Sequence, residues 1–421
     1  MRSVITMLLL AVAAPCLAGC GSSSATVKVV ARDSAGVAIV ENPALASAAL
    51  AEWALDSTPV IDIGALEGGE GETLFRVAGA LRLGDGRLVV ANGGTSQLFY
   101  YRPDGTLERT VGRKGGGPGE FQMMAGLVRL AGDSVLVMDL QARRADVIDP
   151  SGAFVRDFTP GGVNTFASVM GRLSDGRWIG TGGFILGPDE IKDGLQRSDM
   201  AFVAFAPDGA PDDTIAVVPG SERYLKLQRS GNRFMAMLRP RPFGRSTQSA
   251  VSGDALWVGT QDEPEVRQYA ADGRLTRIVR TGGELKPVTD EQVAAFVDEQ
   301  VASLSPDQER SAREDYADMS MPKTMPPYAS MMVDADGNLW LEDTDDYMTP
   351  AGGWTVYDSD GRAIARIRLP EHLRVYDIGQ DYVLGRESDD LDVEHVRMYR
   401  LRRTGGWAVR RTVVTPSLQR Q

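Results

Sequence analysis

The chain has 421 residues, 43% of them hydrophobic, enough to bury a large core, and its 47 glycines fall largely in short turn-like clusters. That composition favours many strands joined by tight turns over a helical protein. The net charge is −12, so the chain lacks the basic surface that phosphates require, and a nucleic-acid partner is excluded.

Residues 1–19 read as a targeting segment. Arg2 supplies the positive start, and residues 4–14 form an apolar run too short for a permanent membrane span. The motif Leu17-Ala18-Gly19-Cys20 then resembles the bacterial lipobox. That resemblance implies cleavage before Cys20, diacylation of Cys20 and N-acylation. An ordinary secretory signal cut nearby would leave Cys20 a bystander. Gly21-Ser22-Ser23-Ser24 is small and polar, as a flexible tether should be, and residues 20–33 are expected to be lipidated cysteine and tether. Gly21 stands where an aspartate would favour inner-membrane retention in proteobacterial lipoproteins, which points to the outer membrane; the face stays open. Cys16 and Cys20 are the two cysteines. The first leaves with the signal and the second carries lipid, so the mature domain is expected to have no disulfide.

A short unit then recurs: a turn with Asp or Gly, an apolar strand, a gap, another apolar strand and a second turn. The first copy is Asp85-Gly86-Arg87-Leu88-Val89-Val90, then residues 97–101 and Pro103-Asp104-Gly105. The second opens at Asp133 and turns at Pro150-Ser151-Gly152. The third is Asp175-Gly176-Arg177-Trp178-Ile179 with Pro207-Asp208-Gly209, and the fourth is Gly253-Asp254-Ala255-Leu256-Trp257 with Ala271-Asp272-Gly273. The fifth is Asp336-Gly337-Asn338-Leu339-Trp340 with Ser359-Asp360-Gly361, and a degenerate sixth starts at Asp381-Tyr382-Val383-Leu384. The starts are spaced by 48, 42, 78, 83 and about 44 residues, so a period in the forties is interrupted by two insertions. Four-stranded propeller blades run about 40–50 residues. A parallel β-helix needs a shorter period, and a sandwich would not repeat this regularly. The expectation is an all-β, six-bladed β-propeller over residues 34–415, followed by a tail at 416–421, in which ring closure leaves no long exposed edge.

The segment Thr110-Val111-Gly112-Arg113-Lys114-Gly115-Gly116-Gly117-Pro118-Gly119-Glu120-Phe121 resembles the inter-blade linker of NHL-type six-bladed propellers. There a glycine-rich run ends in Gly-x-Phe. A second copy runs from Ile61-Asp62-Ile63-Gly64 to Leu74-Phe75. Arg32-Asp33-Ser34-Ala35-Gly36-Val37, Trp354-Thr355-Val356-Tyr357 and the acidic segment 387–394 extend the likeness. Nearly the whole mature chain resembles a family of bacterial six-bladed β-propeller lipoproteins, NHL-like or TolB-like. The resemblance is specific for fold and weak for function. The copy at residues 60–64 precedes the first full repeat, so N-terminal strands are expected to complete the last blade.

The first insertion, about residues 210–250, holds the basic segment Arg239-Pro240-Arg241-Pro242-Phe243-Gly244-Arg245, read as an anion or partner contact or as a solvated loop. The second, about residues 286–328, reads as helical. Thr289 to Gln292 forms a capping box, and Val293, Phe296, Val297, Val301 and Leu304 share one apolar face. Ser305-Pro306 opens a second helix. Met319, Met321, Met325, Met331 and Met332 follow, either as an adaptable contact surface or as packing under the helices.

No residue set announces catalysis. His372 and His395 are the only histidines, and neither has a partner at metal spacing. Asp334-Ala335-Asp336-Gly337-Asn338 resembles a calcium loop, but its glycine falls at the fourth place, not the sixth. Glu387, Asp389, Asp390, Asp392 and Glu394 could hold calcium or form a solvated acidic loop. Pro118 interrupts the glycine run, and no Lys-Ser/Thr follows it, so it is not a phosphate loop. No catalytic, cofactor-binding or metal residue is assigned, and no cofactor is expected; lipidation of Cys20 is the one modified position. A non-catalytic envelope module binding a protein or small molecule fits best. A carboxylate-metal hydrolase or lyase with its site in the propeller channel is the alternative, because fold alone does not decide function.

Overall fold

The computed structural model describes residues 29–42, 50–161, 167–182, 192–230, 233–344 and 352–404. The signal segment, Cys20 and residues 405–421 lie outside the described residues.

The chain is mostly β and forms many small sheets. Val77–Arg82, Leu88–Asn92, Gln97–Tyr101 and Leu107–Val111 make a four-stranded antiparallel meander. Its second strand is buried at every position, as a strand covered on both faces should be. The Asp-Gly turns work as their chemistry requires: Arg87 N donates to Asp85 Oδ1 (3.0 Å), and Gly86 takes φ 89°.

The same order recurs in Met124–Arg129, Val135–Asp139, Arg144–Ile148 and Phe154–Phe158, and in Ser168–Arg172, Trp178–Thr181, Asp199–Phe205 and Pro211–Pro219. Gln248–Ser252, Ala255–Gly259, Glu265–Ala270 and Leu275–Arg280 follow, extended to six strands by Val37–Glu41 and Val30–Ser34. A nine-stranded sheet holds the rest. One part is Met331–Val333, Leu339–Glu342, Gly353–Tyr357 and Ala363–Arg368; the other is Arg374–Ile378, Tyr382–Ser388 and Glu394–Arg402. Ala51–Leu55 joins the two parts, parallel to Ala363–Arg368 and antiparallel to Glu394–Arg402, and Ile61–Ile63 also pairs with Glu394–Arg402.

Each apolar cluster is shared by neighbouring meanders. Leu81, Val89 and Tyr100 pack with Val135 and Ile148, and Leu136 and Val147 pack with Trp178 and Phe205. Phe202 and Ile215 meet Leu256 and Val258, and Trp257 meets Leu339 and Tyr357. Tyr382, Leu384 and Val396 return to pack with Leu88, Val90 and Phe99 of the first meander. The first strands follow the same order: Val77–Arg82 packs beside Met124–Arg129 on one side and Arg374–Ile378 on the other.

Three details differ from the expected layout. Residues 30–33, expected as tether, belong to the strand Val30–Ser34. Val37–Glu41 docks on Leu275–Arg280, with Ile39 and Val40 opposite Ile278 and Val279 and Val30–Ser34 outside it, whereas Ala51–Leu55 and Ile61–Ile63 join the last sheet as expected of N-terminal strands. The exposed edge of Leu275–Arg280 supplies the pairing groups, and Asn42 fixes the end by donating to Gly361 O (2.8 Å) and accepting from Ala363 N (2.9 Å). Third, Pro211–Pro219 is the fourth strand of its meander, so the added material begins later, as the hairpin Arg223–Ser230 and Arg233–Pro240 paired with Gly194–Gln196.

The helical insertion forms α1 (Asp290–Val301) and α2 (Pro306–Ala317). Thr289 caps α1: Gln292 N donates to its Oγ1 (3.2 Å), and Thr289 N donates to Gln292 Oε1 (3.0 Å). Val301 is buried, but Leu304 is exposed, so the apolar face stops short of it.

Candidate functional site

The two departures from the repeat meet each other. Tyr224, in the first strand of the hairpin, donates through its hydroxyl to Asp318 O (3.0 Å), just beyond α2. Lys226 pairs with Asp315 of α2, and Arg239 Nη1 lies 3.5 Å from the same carboxylate. The hydrogen bond that Lys226 donates to Asp315 raises the Lys226 ammonium above its ordinary value. Two residues apart along a strand, Tyr224 and Lys226 share one face, and Arg239 lies opposite Tyr224 in the hairpin register.

Beneath this contact the basic segment works as a clamp. Arg241 Nε donates to Ser320 O (2.7 Å) and its Nη1 pairs with Glu222 (3.0 Å). Arg245 donates to Thr324 O (2.8 Å) and Thr324 Oγ1 (2.7 Å), and burial pushes its guanidinium below the ordinary value. Phe243 is fully buried at φ 55°, its ring 5.6 Å from Phe296 of α1, which in turn lies 5.7 Å from Tyr316 of α2. A bulky residue held in the left-handed region persists only where its surroundings enforce it. Arg241 and Arg245 are therefore internal ties, neither an open anion site nor a solvated loop. The pattern of arginine and proline could not reveal this, because their acceptors lie about 80 residues further along the chain.

Between hairpin and α2 lies a cleft of about 280 Å³, lined by Leu225, Met237 and Met319 and rimmed by Tyr224, Lys226, Arg239 and Asp315. Apolar walls with a few charged groups at the mouth are the usual make-up of a ligand or side-chain pocket. Met319 is the one methionine of the expected cluster that lines it; Met325 and Met331 are buried in the fold. A polar cavity of about 490 Å³, with Tyr328, Thr355 and Tyr357 in its wall, lies between the fourth meander and the nine-stranded sheet.

The first strands, where a channel site would be built, carry one carboxylate, Asp377. It is occupied by Arg129 Nη2 (2.6 Å), Tyr382 Oη (2.7 Å) and Arg82 N (3.0 Å). Among the described residues no group of three His, Cys, Asp or Glu side chains is placed to hold a metal.

Three of the five acidic side chains of segment 387–394, Glu387, Asp389 and Glu394, are spent on internal bonds, while Asp390 and Asp392 are exposed. Glu387 accepts from Arg397 (2.7 Å) and Tyr399 (2.8 Å), and Glu394 accepts from Arg386 (2.6 Å) and Val77 N (2.7 Å). Asp389 holds its own turn through Leu391 N and Val393 N, which keeps its carboxyl below the ordinary value. His395 Nδ1 lies 2.8 Å from Asp62; His372 sits in a turn at φ 68°. In the 334–338 turn, Asp334 accepts from Trp340 Nε1 (3.0 Å) and Arg403 (3.1 Å). The glycine-rich linker is packing: Phe121 is buried, and Arg144 donates to Gly117 O and Glu120 O (both 2.9 Å).

No protein-family profile matches the chain, and no curated protein matches it. Among solved structures it is similar to a member of the DUF4221 family from Bacteroides vulgatus, with 11% identity over 84% of this chain and 99% of that one and a TM-score of 0.49. It is also similar to virginiamycin B lyase from Staphylococcus aureus, with 9% identity over 83% and 99% and a TM-score of 0.38. A gluconolactonase from Xanthomonas campestris gives 12% identity over 84% and 97%, with a TM-score of 0.34. All three are remote in sequence and in shape.

Proposed function

We propose that the chain is a six-bladed β-propeller held at the bacterial envelope by lipid on Cys20, at the outer membrane, and that it acts as a non-catalytic binding module. The blade count treats the nine-stranded sheet as two blades bridged by Ala51–Leu55, with Ile61–Ile63 as the outer strand of the last. The shared apolar clusters, passing from meander to meander and back to the first, support a closed ring.

The binding site in this reading is the cleft between hairpin and α2. One observation carries it: the two segments that depart from the repeat are tied to each other by Arg241, Arg245 and Tyr224 and enclose a pocket with apolar walls and a charged rim. The ligand or protein partner would present an apolar group to Met237 and Met319 and a polar group to Lys226 or Arg239.

Affinity capture from intact envelopes tests the reading. The expected result is a reproducible partner that Met237→Glu loses while the thermal transition stays near that of the parent. Capture that ignores Met237→Glu removes the cleft from the proposal. A stoichiometric metal whose removal abolishes hydrolysis of lactones or glycosides would overturn the module and favour the channel enzyme.

A further inference from the structure

The two ends of the strand stack differ in the apolar side chains they expose. In each meander the turns between first and second strands, and between third and fourth, lie at one end. Asp85, Asp104, Asp175, Asp208, Asp272 and Asp360 occupy those turns, and no large apolar side chain is exposed in them among the described residues. The other end carries the connections between second and third strands and those leading to the next meander. Here Phe75 is 60% exposed, Met123 50% and Leu140 38%.

Phe75 and Met123 stand one register place apart in successive meanders: Leu140 N donates to Met123 O (3.0 Å), as Gly93 N donates to Arg76 O (3.1 Å) beside Phe75. Exposed Arg76, Arg113 and Lys114 border them. The Arg76 guanidinium stands 5.2 Å from the Phe75 ring centroid, and Arg113 also pairs with Glu120. Carboxylates lie at this end too: Glu67, Glu70 and Glu72 around exposed Leu66, and Asp389, Asp390 and Asp392 around exposed Leu391. Exposed aromatic and aliphatic side chains bordered by cations suit the headgroup layer of a bilayer.

The course of the N-terminal strands says which end meets that layer. Val30 lies opposite Glu41, and Glu41 opposite Arg280, the last residue of a fourth strand. Val30 therefore enters at the end that carries Phe75 and Met123, and it shares a cleft there with Pro264 and Gly282. Nine residues, 21–29, separate it from Cys20, at most about 35 Å of extended chain.

We propose that this end is a membrane-contacting surface, with Phe75, Met123 and Leu140 seated among lipid headgroups. The inference rests on the anchoring of Cys20. The binding cleft belongs to the connections at this same end, so its partner would meet it close to the membrane.

The test couples the chain from Cys20 onward, through that cysteine, to a maleimide-headgroup lipid in phosphatidylethanolamine–phosphatidylglycerol vesicles, and follows hydrogen exchange. Exchange is expected to slow several-fold in residues 65–76, 112–123 and 140–143, and to stay unchanged in 102–106, 149–153 and 206–210. The double variant Phe75→Glu, Met123→Glu should lose that protection while remaining coupled and keeping the parent's melting temperature. Protection at the Asp-Gly turns, protection nowhere, or protection that survives the double variant overturns the surface. The mass of the N-terminal peptide from envelope-purified protein decides the anchor separately. An unmodified Cys20 overturns both anchor and inference; a lipidated Cys20 without protection overturns the inference alone.

Discussion

Gly105, at φ 84°, lies against Ile61: a Cβ at Gly105 would stand 3.4 Å from Ile61 Cγ2. Ile61 belongs to the short strand that pairs with Glu394–Arg402. A turn of the first complete meander thus rests on a strand attached to the last. The same contact joins successive meanders, where Gly152 approaches Val111 and Gly361 approaches Val279. All three turns take positive φ, which favours glycine, and at Gly152 and Gly361 the neighbouring strand also leaves no room for a side chain.

Ile61→Ala should therefore destabilise more than a three-residue strand suggests. Ile61 is buried in the cluster with Leu88, Phe99 and Val396, and loss of such a side chain costs about 2–5 kcal/mol. Truncation sharpens the point. A chain starting at residue 50 loses Val30–Glu41 but should keep one cooperative melt, whereas a chain starting at residue 66 should not. A sharp, near-native transition in the shorter chain, followed by circular dichroism, would show that Ile61–Ile63 does not close the structure.

The repeat was legible because its turns are made by side chains that act locally. Asp85 binds the amide two residues on, so Asp-Gly marks four of the meanders without knowledge of the fold. Partners chosen at long range were hidden. Val37–Glu41 reads as a strand, but which edge it joins depends on Leu275–Arg280, more than 200 residues away. Pro211–Pro219 starts with Pro-Asp-Asp and reads as loop, yet its later residues Ile215 and Val218 are buried. The cleft between hairpin and α2 was illegible for the same reason, since Arg241 and Arg245 find their acceptors beyond α2.

In the second linker copy, which ends in Leu74-Phe75, Leu74 takes the buried place that Phe121 holds in the first, and Phe75 is exposed. Hydrogen bonding sets the register: Phe75 N donates to Asn92 Oδ1 (2.9 Å), as Gln122 N donates to Asp139 Oδ2 (2.6 Å). Phe75 corresponds to Gln122. The usable signal was the polar residue ending each second strand, Asn92 and Asp139, both buried.

Glu342 gives a pH prediction. Burial raises its carboxyl above the ordinary 4.5, and Ser330 Oγ donates to it at 2.8 Å. The folded chain therefore holds the proton more tightly than the unfolded chain. This contribution is most favourable below about pH 4.5 and declines as pH rises through the raised folded value. Glu342→Gln keeps an acceptor for Ser330 and does not ionise. It should be more stable than the parent at pH 7, by on the order of 1 kcal/mol, with the difference vanishing near pH 4. Urea titrations at both pH values measure this, and equal stabilities at pH 7 would sink it.

Arg241→Ala should loosen the insertion without unfolding the sheets. Arg241 and Glu222 are both largely buried, and the substitution also removes the bond to Ser320 O. Hydrogen bonds to a charged group contribute about 1.5–3 kcal/mol each. Hydrogen exchange should quicken in α1 and α2 and stay slow in Leu88–Asn92. Equal acceleration in both would mean that the clamp supports the whole fold.

Asp104 and Asp334 offer a controlled comparison, because both organise a turn and only one is buried. Asp104 is exposed and accepts from Thr106 N (2.9 Å) and Thr106 Oγ1 (2.7 Å). Water replaces both bonds in Asp104→Ala, so the cost should be about 1 kcal/mol. Asp334 has a fully buried side chain that accepts from Asp336 N, Asn338 N, Asn338 Nδ2, Trp340 Nε1 and Arg403. Asp334→Ala strands a buried indole N–H and leaves Arg403 without this carboxylate, though it keeps Asp336 at 2.6 Å. Removing one member of a buried charge pair costs about 3–5 kcal/mol. Asp334→Asn should not rescue the loss, because the amide turns a donor toward a cluster of donors. Urea midpoints followed by tryptophan fluorescence rank the three variants. If Asp334→Ala costs no more than Asp104→Ala, the turn is held by its backbone, and the Trp340 and Arg403 bonds contribute nothing net.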